Sequence, residues 1–223
     1  MLERLLSEDI AQQVKDVFDQ TLQNPVHILF FGSELRCEYC QPTRSLLEEI
    51  IPLSDKLSLK IHDVENEPEI AKKYHVDKTP GIVITAKEKK EIIDFGIRYS
   101  GMPSGHEFTS LINDIIMVSR RSTDLNQETR AFLGTINKDV LLQVFVTPTC
   151  PYCPPAVNLA HAMAFETPYI QAEMIEAMEF PDLANQFHVS GVPQTTINNG
   201  SGTMVGSGPE EELINEIKRV LAK

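Results

Sequence analysis

Cys37-Glu38-Tyr39-Cys40 and Cys150-Pro151-Tyr152-Cys153 lie 150 − 37 = 113 positions apart, and the same offset carries Thr79-Pro80 onto Val192-Pro193. Shifted by 113, Tyr39 meets Tyr152, Pro42 meets Pro155, Pro68 meets Pro181, and Tyr74-His75-Val76 meets Phe187-His188-Val189. A register held over that distance marks an internal duplication. A period of this length means two tandem domains rather than a solenoid of short repeats. With 223 residues, 42% of them apolar, each half of about 110 residues has the means to build its own core.

Each cysteine pair follows an apolar run, Val26-His27-Ile28-Leu29-Phe30-Phe31 in the first half and Leu141-Leu142-Gln143-Val144-Phe145-Val146 in the second. Both runs read as buried strands. Pro151 suits the first turn of a helix, where a missing N–H removes no bond. The first cysteine of each pair is therefore expected where a strand hands over to a helix. The second follows three residues on, on the same face. Free N–H groups and the positive end of the helix dipole favour a thiolate there, and the spacing permits a disulfide. Each pair reads as a reactive dithiol. The two pairs use all four cysteines of the chain. In a reducing compartment such pairs are more often catalytic or metal-binding than structural.

Periodicity and punctuation predict the same element order twice. In the first half this is a helix over 7–22, capped by Ser7 with Ile10, Val14, Val17 and Phe18 on its apolar face. A strand over 26–31, a helix from Cys37 to Ile51 stopped by Pro52, and a strand over 57–64 follow. Next come a short helix over 67–74, strands over 82–86 and 91–98 joined near Glu88-Lys89-Lys90, and a closing helix over 106–118. The second half reads as a helix at 124–134, a strand at 140–146, a helix at 153–165, a strand at 170–175 and a helix at 181–187. A hairpin of strands 195–198 and 203–206, turned at Asn199-Gly200, and a last helix over 210–221 complete it. The boundary falls near Ser119 to Thr123, giving domains 1–119 and 120–223.

A net charge of −12 argues against nucleic-acid binding, which needs a basic face. No apolar run approaches a membrane span, so no membrane partner is expected. The first residues carry acids where a signal peptide carries a basic end and an apolar stretch, and a cytoplasmic location is expected.

Strand, Cys-x-x-Cys helix, strand, helix, X-Pro, hairpin and final helix is the order of the thioredoxin fold. Thr147-Pro148-Thr149-Cys150-Pro151-Tyr152-Cys153 resembles the active-site stretch of glutaredoxins, and Gly191-Val192-Pro193-Gln194-Thr195 resembles their cis-proline loop. Asp63-Val64 and Val76-Asp77-Lys78-Thr79-Pro80 are more similar to thioredoxin. Two such units in one chain resemble the glutaredoxin-like protein disulfide oxidoreductases of heat-loving archaea and bacteria. The resemblance implies an α/β fold of two tandem thioredoxin-fold domains, each a central mixed four-stranded sheet flanked by helices. It implies that Cys37 and Cys150 are nucleophiles, that Cys40 and Cys153 resolve the mixed disulfide, and that both prolines are cis. Thr79-Pro80 and Val192-Pro193 are then the substrate-binding loops, offering backbone to an incoming peptide strand. The implied partners are protein or peptide disulfides and, as electron donor, a thioredoxin reductase-like flavoprotein. The chain itself needs no cofactor.

The two sites are not expected to be equivalent. Glu38 places an acid beside Cys37, opposed by Arg36, whereas Cys150 has no charged neighbour in sequence. The Cys150–Cys153 pair is expected to be the more oxidising and the faster. Two departures from the pattern stand out. The acid that thioredoxins carry six positions before the first cysteine is replaced by Phe31 and Val144, and Glu34 in the loop reads as a solvated charge rather than as its substitute. Gly206-Ser207-Gly208-Pro209-Glu210 stands where glutaredoxins hold glutathione with Gly-Gly and an acid. His75 and His188 read as helix-end residues; His27, His62, His106 and His161 have no counterpart in the repeat and read as surface or core. Two alternatives remain open at this level. One is a thiolate site for zinc or an iron–sulfur cluster. The other is a chaperone or redox-sensing module that only holds peptides.

Overall fold

Helix α1, Glu8–Thr21, begins where Ser7 Oγ accepts the Ile10 N–H at 3.3 Å. The computed structural model that shows this describes residues 4–35, 37–89 and 91–222. The buried stripe of α1 is Ala11, Val14 and Phe18, continued by Leu22. Ile10 and Val17, expected on that face, are 43% and 40% exposed. A helix turns about 100° per residue, so a stripe through 11, 14, 18 and 22 leaves both on its flank.

By contact the chain forms two units. The first runs up to Asp94 and takes in Ile115–Ser122; the second comprises Phe95–Asp114 and everything from Thr123 on. Strand β4, Glu91–Ser100, and helix α4, Glu107–Arg120, are thus each divided between them.

In the first unit β1, Val26–Gly32, runs parallel to β2, Leu57–Asp63, and antiparallel to β3, Gly81–Glu88, in the order β2-β1-β3-β4. Every residue of β1 is buried, as befits a central strand covered on both faces. Helix α2, Cys40–Ile50, passes into a 3₁₀ turn, Ile51–Leu53, which holds Pro52; α3 is Pro68–Lys73. In the second unit β5, Val140–Val146, pairs parallel with β6, Ile170–Glu176, and antiparallel with β7, Gln194–Ile197. Strand β8, Gly202–Val205, completes β6-β5-β7-β8, and Ile97–Ser100 of β4 pairs parallel with Ala172–Ile175 of β6. Its helices are α5, Gln127–Leu133, α6, Cys153–Glu166, α7, Pro181–Gln186, and α8, Glu210–Leu221. The two thioredoxin-like units read from the sequence are both present.

The duplication is not uniform in register. Strand β2 maps onto β6 at the expected offset, 170 − 57 = 113, but β1 maps onto β5 at 140 − 26 = 114, because Val26 pairs with Leu57 and Val140 with Ile170. The extra residue lies in the lead-in to the cysteines: residues 33–36 separate Gly32 from Cys37, whereas 147–149 separate Val146 from Cys150. Phe145, not Val144, therefore stands where Phe31 stands. The rings agree: Phe31 packs on Tyr74 at 6.1 Å and 53°, and Phe145 on Phe187 at 5.8 Å and 52°.

Helices α3 and α7 end identically. His75 and His188 take φ of 53° and 52°, the left-handed conformation that usually selects glycine. The His75 N–H bonds Lys72 O and the Val76 N–H bonds Ala71 O; His188 and Val189 do the same with Asn185 O and Ala184 O. Both are Schellman ends, so these histidines cap through their backbone.

Candidate active site

Each cysteine pair sits at the mouth of a helix, but the helix starts at the second cysteine rather than the first. Helices α2 and α6 begin at Cys40 and Cys153, with Tyr39 and Tyr152 at the N-cap positions. Cys37 and Cys150 therefore occupy the turn before the helix. In the second unit this turn is closed by Cys150 N–H to Thr147 O at 3.1 Å and Cys153 N–H to Cys150 O at 3.4 Å. Pro151 belongs to this turn, and Pro154 and Pro155 take the first helical turn, where the missing N–H groups are harmless. Both pairs are joined as disulfides, Cys37–Cys40 with Cα atoms 5.3 Å apart and Cys150–Cys153 with Cα atoms 5.5 Å apart.

In the first unit Cys37 is half-buried and Cys40 buried. Cys40 Sγ accepts the Ser33 N–H at 3.4 Å, and Ser33 Oγ donates to Glu65 Oε1 at 2.6 Å. A cavity of about 310 Å³ adjoins the pair, with Glu34, Arg44, His62 and Asp63 in its wall. His62 is buried, stacks on Phe31 at 5.1 Å, and meets Glu67 Oε2 through Nδ1 at 2.8 Å. Glu38 is exposed; Arg36, expected to oppose it, lies outside the described residues.

In the second unit both cysteines are buried, Cys150 at 7% exposure and Cys153 at 0%. Cys150 Sγ lies 3.7 Å from Val192 O, which brings the X-Pro loop to the sulfur. Thr79-Pro80 and Val192-Pro193 are the cis peptide bonds of the chain among the described residues. Thr79 borders a cavity of about 590 Å³ walled by Val64, Ala71 and Val76. Tyr39 and Tyr152 turn outward, 41% and 69% exposed.

A buried polar centre in the second unit escaped the sequence reading. Asp114 Oδ2 accepts the Tyr99 hydroxyl and meets His161 Nδ1 at 2.5 Å, while His161 Nε2 meets Arg98 O at 3.1 Å. Tyr99, Asp114 and His161 are all at most 1% exposed. Burial and the neighbouring Asp114 carboxylate push the Tyr99 hydroxyl well up. Beside them Glu107 is sealed at 1% exposure and accepts Ser110 Oγ at 2.6 Å. Burial pushes its carboxyl up to about 7. The signal was available: Asp114 is a charged residue on the stripe of α4 that Leu111, Ile115 and Val118 fill.

Phe31 and Val144, which replace the expected strand acid, are fully buried. Among the described residues no cluster of three or more His, Cys, Asp or Glu side chains fits a metal ion. No helix there is long and apolar enough to cross a membrane.

Comparison with known proteins agrees with this geometry. A sequence model of the thioredoxin domain matches residues 26–113 and again 140–219. The crystal structure of a protein disulfide oxidoreductase from Aeropyrum pernix is similar with a TM-score of 0.87 and 28% identity, covering 98% of this chain and 94% of that one. The N-terminal domain of the alkyl hydroperoxide reductase AhpF from Enterococcus faecalis is similar with a TM-score of 0.85 and 28% identity, over 94% of this chain and 98% of that one. The full-length alkyl hydroperoxide reductase protein of the same kind from Staphylococcus aureus is 25% identical over 203 residues, 90% of this chain; the match spans 36% of that relative's length.

Proposed function

The chain belongs to the thioredoxin-domain family, and from that premise we propose that it is a protein dithiol–disulfide oxidoreductase with one redox site in each domain, 1–119 and 120–223. The observation that carries the reading is the duplicated cysteine pair, joined by a disulfide at the mouth of a helix in both units. Cys37 and Cys150 are the attacking sulfurs. A thiol of ordinary pKa is only about 3% thiolate at neutral pH, and a helix start adds on the order of 0.3–1 kcal/mol in favour of the anion. Cys40 and Cys153, the more deeply buried of each pair, resolve the mixed disulfide.

Thr79-Pro80 and Val192-Pro193 hold the incoming peptide. The approach of Cys150 Sγ to Val192 O supports that assignment in the second domain. The substrates are protein or peptide disulfides. Electrons come from a thioredoxin reductase-like flavoprotein, a reading supported by the likeness to part of a longer hydroperoxide reductase chain. The setting is cytoplasmic. Direction, whether reduction, oxidation or isomerisation, follows from reduction potential against the compartment.

Insulin reduction driven by dithiothreitol tests the proposal. The native protein accelerates precipitation of the insulin B chain, and the Cys37→Ser/Cys150→Ser protein does not. Equal acceleration by both proteins refutes the enzyme reading.

A further inference from the structure

Asp63 and Glu176 hold the same place in the two units. Each is paired with the last residue of the strand that leads to the cysteines, Asp63 with Gly32 and Glu176 with Val146. Side chains alternate between the faces of a strand. Phe31 packs with Tyr74 and Ala71 of the α3 segment, and Phe145 and Ile175 with Phe187 and Ala184 of the α7 segment. Gly32 and Val146 are the next residues along, so they and their partners Asp63 and Glu176 face the opposite side. In the first unit that side carries α2, the helix opened by Cys40, and the repeat assigns the same side of the second unit to α6, opened by Cys153.

In the first unit the proximity is direct. A Cβ on Gly32 would stand 3.5 Å from Cys40 Sγ, and Asp63 lines one cavity with Cys37 and Cys40. In the second unit the acid is sealed. Glu176 is 3% exposed, its Oε2 accepts the Glu179 N–H at 2.6 Å, and its Oε1 has no hydrogen-bond partner among the described residues. A buried carboxylate oxygen left without a donor is costly unless something uses it.

We propose that Asp63 and Glu176 are the proton acceptors for the resolving thiols of Cys40 and Cys153. The inference rests on the redox reading above. It supplies, from the neighbouring strand, the acid that the cysteine strand lacks on this face, where Phe30 and Val144 stand beside Gly32 and Val146. In the step, the Cys153 S–H passes its proton to the Glu176 carboxylate and the thiolate attacks Cys150 Sγ. The bond from Cys150 to the substrate sulfur breaks, and its electron pair leaves with that sulfur, which takes a proton from solvent. The Cys150–Cys153 disulfide forms, and the substrate disulfide has gained two electrons. Cys40 and Asp63 act likewise on Cys37. The groups that share Asp63's surroundings are Glu34, Arg44 and His62. Glu179 stands beside Glu176, with its Oε1 held by the Met102 N–H at 2.7 Å. Burial raises the Glu176 carboxyl, which improves it as a base near neutral pH.

The test uses the full chain with the other site silenced by Cys37→Ser/Cys40→Ser. The reduced protein is mixed with a fluorescent peptide disulfide, and formation and decay of the mixed disulfide are followed by stopped flow. Glu176→Gln, which keeps the volume and the Glu179 bond, leaves formation unchanged. It slows decay about 100-fold at neutral pH, and the deficit shrinks as pH rises and Cys153 ionises unaided. Asp63→Asn in the Cys150→Ser/Cys153→Ser background repeats the test at a half-buried position that tolerates the change. Decay unaffected, or slowed equally at every pH, overturns the inference. Absence of any mixed disulfide in the parent protein overturns the redox reading instead.

Discussion

Cys37 stands half-buried beside a cavity walled by Glu34, Arg44 and Asp63, whereas Cys150 is 7% exposed, flanked by prolines, with its sulfur against the Val192 carbonyl. The backbone device is shared: a central strand, a turn holding one cysteine, and a helix opened by the other. What differs is the lead-in, one residue longer in the first unit, and the charge around the sulfur. Duplication has kept the geometry that makes a dithiol and released the residues that set its exposure and field. The two pairs are therefore expected to differ in rate while sharing one reaction.

The largest effect should come from separating the sites. Cys150→Ser removes most of the insulin-reducing activity and Cys37→Ser less than half of it; the reverse order breaks the ranking of the second pair as the faster. A substantial effect on stability comes next. Phe31→Ala and Phe145→Ala each remove a fully buried ring from equivalent positions and cost about 3–5 kcal/mol, read by urea unfolding. Closely matched losses sharpen the equivalence, and a near-neutral change at either breaks it.

The buried polar centre belongs to the second unit alone, and pH exposes it. Glu107, faced by Ser110, Asp114 and His161, has its carboxyl raised from an ordinary 4.5 to about 7. Between those values the folded state holds a proton that the unfolded chain has lost. Stability from this group thus falls as pH rises through that window, by on the order of 1–3 kcal/mol, and is flat on either side. Thermal melts should show that slope in the native protein and lose it in Glu107→Gln; parallel profiles reject the assignment. The smallest effect is at a helix end. His188→Gly relieves a left-handed residue at some cost in chain entropy, for a net gain of about 0.5–1 kcal/mol in a melt.

The order of elements, the doubled cysteine sites and the two X-Pro loops were legible because each leaves a local mark: an apolar run, a proline, a repeated spacing. Helix α1 was legible too, yet its buried stripe was not, since Ala11 is small enough to be overlooked as a core residue. The helix start at Cys40 rather than Cys37 was hidden because a turn and a first helical turn use the same residues. His161 looked unremarkable because its partners, Asp114 and the Arg98 carbonyl, come from 47 and 63 positions away. No local pattern reports such a meeting. The acid opposite Gly32 and Val146 was hidden for a related reason: the carboxylates arrive from the neighbouring strand, not from the one that carries the cysteines.

The additional residue between Gly32 and Cys37 bears on any attempt to build hybrids of the two halves. A chimera that grafts β5 in place of β1 by the constant spacing of the motifs would insert the strand one position out of step. Every side chain would then enter the opposite packed face of the sheet, and the graft would fail for a reason that no comparison of the cysteine motifs alone could reveal. Cut instead at the strand's own spacing of 114, the same exchange leaves each side chain on its native face.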